Sequence, residues 1–146
     1  MSVHHDAVSA DLVEAPLGPL RPRQLLLLAG AVVGCAALFA ATVGHGYLVN
    51  GLQHVPLDQV GGGAYDPEDL PDPPSALIQA LGYLAIATAP LAGFVALLVA
   101  GADVLQSVHD HRSPREVAPA TAVAVLAAVM LAGCVVLSPL ATWWLD

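Results

Sequence analysis

Residues 73–102 read PPSALIQALGYLAIATAPLAGFVALLVAGA, without a single Asp, Glu, Lys or Arg. The apolar residues run on continuously, densest from Ala76 to Ala100, instead of alternating as in a half-buried strand. A bilayer's hydrocarbon core, about 30 Å thick, is crossed by roughly 20 apolar helical residues. Only helices and closed barrels satisfy their backbone groups inside lipid, and an unbroken apolar run is not a barrel strand. This stretch is therefore predicted to be a membrane-spanning helix. Ser75, just after Pro73-Pro74, is placed to cap its start.

Two more charge-free windows flank it, Gln24 to Leu57 and Val117 to Leu145. The most apolar part of the first is Leu25 to Val43. Ser113-Pro114-Arg115-Glu116 has the form of a capping box before the third, with a start near Ala118 as the alternative because of Pro119. The expected fold is all-α, an integral membrane three-helix bundle with spans over about 24–46, 76–102 and 117–142. Residues 1–23 are expected to form a cytoplasmic tail. Residues 24–146 form one three-span domain with an acidic Gly/Pro-rich outer loop at 53–74.

Composition agrees. The 146 residues are 57% hydrophobic and 11% charged, with a mean hydropathy of +0.72. A soluble domain carries about 25% charged residues, so this chain could not cover a water-facing surface. The four basic residues are all Arg, against twelve acidic ones, for a net charge of −8. So few cations argue against phosphate neutralisation, and no nucleic-acid partner is expected.

The arginines also orient the chain. Arg21 and Arg23 precede the first span, and Arg112 and Arg115 lie between the second and third. Three spans put both segments on one side, which the positive-inside rule makes cytoplasmic. The C-terminus then lies outside a prokaryotic plasma (inner) membrane. Trp143 and Trp144 are expected at the outer interface, level with Tyr47. A cleaved leader is not expected, because residues 1–23 carry Asp6, Asp11 and Glu14. Val32-Val33-Gly34-Cys35 faintly resembles a lipoprotein cleavage box, but a retained helix is the preferred reading.

Small residues recur at four-residue spacing on all three spans: Gly30 and Gly34; Ala85, Ala89 and Gly93; and Ala120, Ala124, Ala128 and Ala132. Such lines let helix backbones approach, within the bundle or between copies. Pro90 removes a hydrogen bond from the carbonyl of Ile86 and is expected to kink the second span, with Thr88 helping to satisfy the loosened backbone. Cys35 and Cys134 read as small apolar residues.

Chemistry-bearing groups are sparse. Asp103, at the cytoplasmic end of the second span, is expected to reach the interface or to pair with Arg112 or Arg115. His45 has no histidine at matching depth on another span, which argues against bis-His haem. His109 and His111, with the His4-His5-Asp6 tail folded back, form a candidate divalent-metal site, set against two solvated segments. Asp66, Glu68, Asp69 and Asp72 lack the spacing of a calcium loop, and their segment is expected to be a solvated linker with little regular structure. No catalytic grouping and no cofactor motif is recognised, so the chain is expected not to be an enzyme.

Within the second span, Leu77-Ile78-Gln79, Leu81-Gly82, Ile86-Ala87-Thr88 and Pro90 resemble a prokaryotic three-span membrane protein family of unknown function. Its members are often encoded beside TauE/SafE-type permeases. That family tends to place Thr directly before Pro and a basic residue after it. Here Thr88 stands two before, and Leu91 to Ala102 carry no charge. The resemblance implies a membrane accessory role and carries over no catalytic residue. The expected function is thus an accessory or assembly partner of a larger membrane or transport complex. The alternatives are a homo-oligomeric pore or holin-like permease, and a cytoplasmic-face metal-binding protein. The expected partners are the lipid bilayer and another membrane protein or a second copy of this chain.

Overall fold

The computed structural model describes residues 20–145, the side chain of Glu68 apart. The regular elements among the described residues are all helical. Three are long and apolar enough to cross a membrane: α1 (Pro22–Val49), α2 (Ala76–His109) and α3 (Pro114–Val136). A short α4 (Ser138–Leu145) follows α3. The chain is an all-α, multi-pass membrane bundle. The four arginines lie at one end of it, and the 50–75 segment and α4 lie at the other, the tryptophan end.

The helix ends follow from local chemistry. α1 opens with Pro22 at its first position, where a missing N–H costs nothing, and the Arg21 N–H donates to Gln24 Oε1 at 2.8 Å. Ser75 caps α2 as expected, its hydroxyl accepting from the Ile78 N–H at 3.4 Å. α3 starts at Pro114, not near Ala118, but the Ser113 side chain makes no capping bond. The expected box is therefore present in sequence and open in structure.

The third span is shorter than expected. Instead of running on to residue 142 it ends at Val136, and Leu137 turns the chain into α4. Pro139 is the reason. It has no N–H to give the carbonyl four residues back, and its ring crowds that carbonyl. α2 runs unbroken through Pro90, which faces outward. The Thr88 hydroxyl, two residues earlier, donates to the Leu84 carbonyl at 2.7 Å. In α1, Ala40–Gly44 forms a π turn, and the buried Thr42 donates to the Leu38 carbonyl at 2.8 Å.

Packing is arranged for lipid. Large side chains face out, as in Leu77 (70% exposed) and Leu105 (74% exposed) on α2. The buried face of the same helix is Gly82, Ala85, Ala89, Gly93, Ala96 and Ala100. Hydrocarbon solvates leucine well, so nothing drives large apolar groups inward. Association depends on close backbone packing, which small residues permit. A Cβ on Gly93 would stand 3.0 Å from Leu131 Cγ, the closeness that α2 and α3 require there. Toward the arginine end, Val32, Ala96, Ala100, Val123 and Ala127 form one core cluster.

Two of the small-residue lines lie off the seams within the bundle. On α3 the buried residues are Ala120, Val123 and Ala127. Ala124 is half-buried, and Ala128 and Ala132 are exposed. A strict four-residue line drifts by about 40° per step at 3.6 residues per turn, so it leaves the interface within three steps. The real seam alternates steps of three and four. Gly30 and Gly34 face outward, with nothing within 4 Å of a Cβ at either. The residue that α1 buries in the bundle at this level is Val32.

These environments predict opposite responses to one substitution. Gly93→Val should lower the stability of detergent-solubilised protein by about 1–3 kcal/mol, because Leu131 has to be displaced. Gly34→Val in the same detergent should leave the unfolding temperature nearly unchanged. Equal losses in thermal unfolding would contradict the described packing.

Candidate functional site

At the arginine end, α2 closes with paired backbone bonds. The Arg112 N–H reaches the Ser107 carbonyl at 3.0 Å, and the His111 N–H reaches the Val108 carbonyl at 3.2 Å. This pattern needs a left-handed residue just beyond the helix, and His111 supplies it with φ +53°. Glycine is the usual occupant, but histidine visits this region more readily than most side chains. Arg112 locks the turn from outside. Its guanidinium bonds Asp110 Oδ2 at 3.0 Å and donates to the buried Ser107 hydroxyl at 3.3 Å.

Of the two expectations for Asp103, pairing with Arg112 is not the one met, since Arg112 is engaged here. Asp103 Oδ1 accepts from the Leu20 N–H at 3.2 Å, tying the start of the described chain to α2, while Arg112 takes Asp110. His109 and His111 are both exposed. Among the described residues, no three His, Cys, Asp or Glu side chains gather as a metal would need. His4, His5 and Asp6, the other half of the candidate metal site, lie outside the described residues.

The tryptophan end departs most from expectation. Trp143 and Trp144 are 0% and 1% exposed, where interfacial anchors were expected. They pack edge to face, with centroids 5.7 Å apart, and Tyr47 stands edge-on to Trp143 at 6.4 Å. Trp144 lies against both α1 and α2 at glycines. A Cβ on Gly46 would come within 2.8 Å of its ring, and one on Gly82 would run into its indole nitrogen. That nitrogen donates to the Gln79 carbonyl at 3.3 Å. Trp143 Nε1 is buried with no partner among the described residues.

The acidic 53–74 segment is likewise no plain linker. It forms short helical turns at Leu52–His54, Leu57–Gln59, Val60–Ala64 and Pro67–Asp69. Leu52 and Val60 bury themselves with Val43, Leu140 and both tryptophans. Gly61 lets the backbone lie on Pro139, which a Cβ would approach to 2.8 Å. Asn50 fastens the segment's end. Its carboxamide accepts from the Asp72 N–H at 3.1 Å and donates to the Asp72 carbonyl at 3.2 Å. Glycine and aspartate masked the apolar residues at 52, 55, 57 and 60. Their recurrence was the signal available in the sequence.

Beneath this cap lies a cavity of about 710 Å³ where the three spans meet. Ala36, Phe39 and Ala40 line it from α1, Ile86, Ala89 and Pro90 from α2, and Met130, Leu131 and Cys134 from α3. Pro90 therefore shapes a cavity wall. Among the described residues, no carboxylate, histidine or basic side chain lines the cavity. Cys35, by contrast, turns toward α2, its thiol 3.7 Å from the Thr88 hydroxyl oxygen. The arrangement suits holding an apolar group. Comparison with known families, curated proteins and solved structures finds no match.

Two substitutions test these assignments. Gly82→Ala should cost about 1–3 kcal/mol by crowding Trp144 out of its slot, with a red shift in intrinsic fluorescence as the indole meets a wetter environment. An unshifted spectrum would contradict the glycine slot. His111→Gly should raise stability by about 1 kcal/mol, since the left-handed turn then carries no Cβ penalty. A loss of stability in thermal unfolding would refute the capping role.

Proposed function

We propose that this chain is a non-enzymatic accessory or assembly subunit of a larger membrane complex in a prokaryotic plasma membrane. One observation carries the reading. α1 exposes Gly30, Gly34, Ala37 and Ala41 along one stripe, and at both glycines nothing among the described residues packs there. Bulky side chains stand on the outward face of α2 at Leu91, Phe94 and Leu98. A surface meant only for lipid gains nothing from bare backbone, whereas a neighbouring helix does.

In this reading the arginine end is cytoplasmic and the capped end lies outside, because all four cations are at one end. The resemblance of residues 77–90 to a family encoded beside TauE/SafE-type permeases supports a transporter as the larger partner. The same stripe also fits a second copy of the chain, which supports the alternative of a homo-oligomeric pore.

The test is purification in mild detergent after crosslinking in cells. Wild type should carry one specific larger membrane protein, and a Gly30→Leu/Gly34→Leu variant should lose it while keeping its unfolding temperature. Recovery of monomer alone from wild type would overturn the proposal. Recovery of self-multimers that conduct ions in liposomes would replace it with the pore.

A further inference from the structure

We propose that the cavity beneath the tryptophan cap is a binding site for one hydrocarbon chain of a membrane lipid. Its position comes first. The cavity is formed by residues of the three spans, between the cap and the Val32–Ala96–Val123 cluster. Ala36, Ala40, Pro90 and Val135 line it and are exposed, so its mouth opens sideways where the bilayer surrounds the bundle. Hydrocarbon is the phase at that mouth. Of the lining side chains, only Cys134 and Ser138 carry a hydrogen that can be donated. An unfilled apolar space of this size forfeits packing contacts along every wall.

Position selects the occupant. The lining runs from Met130 on α3 past the turn at Leu137 to Ala141 on α4, in the part of the bundle nearer the cap. A flexible acyl chain reaches such a lateral mouth directly from the surrounding bilayer and can follow the bend between α3 and α4.

The wall is shared with the cap. Phe39, Ile86 and Leu137 line the cavity and also pack against the Trp143–Trp144 cluster. A bound chain therefore completes the floor on which the cap rests.

The experiment uses the full chain in phosphatidylethanolamine–phosphatidylglycerol vesicles. These are doped with a phosphatidylcholine that carries a photoactivatable diazirine in one acyl chain. After irradiation, adducts are mapped by mass spectrometry in wild type and in two filling variants, Ala36→Leu and Ala40→Phe. Wild-type adducts should concentrate on residues 36–40, 86–90 and 130–135. In each filling variant they should fall about tenfold at those positions, the change that accompanies roughly 1.4 kcal/mol of lost burial, and persist at Leu91 and Phe94. Wild-type adducts spread evenly over the outward leucines would overturn the proposal without reference to any variant. So would adducts unchanged in both filling variants.

Discussion

Trp144 enters the bundle because α1 and α2 present bare backbone to it at Gly46 and Gly82. The rest of the capped end is arranged around that indole. Trp143 stacks edge-on against it, Val43 and Leu140 close the sides, and Leu52 and Val60 fold down over the top. Together these groups hold in place a segment of chain with little helical propensity of its own. The glycines of Val60–Ala64 cost backbone entropy, which burial against α4 has to offset. The Asn50–Asp72 bonds then return the chain to the start of α2.

The two ends of the bundle use different physics. Near the arginines, Ala96, Ala100 and Ala127 let backbones meet around Val32 and Val123, and polar groups finish the helix ends. At the other end the filling is aromatic. Small-residue packing and aromatic packing do not share a spacing. The cavity beside Pro90 lies where one gives way to the other.

The three spans were legible in the sequence because a bilayer imposes a length and forbids charge, and both can be counted. The cap at Ser75 and the helix start at Pro114 were legible for a similar reason, since each depends on a few adjacent residues. What depended on phase was not. The seam of α3 runs through Ala120, Val123 and Ala127, but in an alanine-rich helix every face offers a small residue, so the straight line through Ala128 and Ala132 looked equally good. Trp143 and Trp144 stand where interfacial aromatics belong, and only the glycines at 46 and 82, distant in sequence, mark them as buried. The left-handed turn at His111 was not legible either, because a backbone angle is invisible in the sequence.

The length of α2 reaches beyond the molecule. Its charge-free portion from Ala76 to Ala102 is about 40 Å long at 1.5 Å per residue, against a hydrocarbon core of about 30 Å. A rod longer than its solvent layer leans or thickens the layer around it. Either response makes the chain sensitive to bilayer thickness, so membranes of different lipid length present it with different mechanical environments.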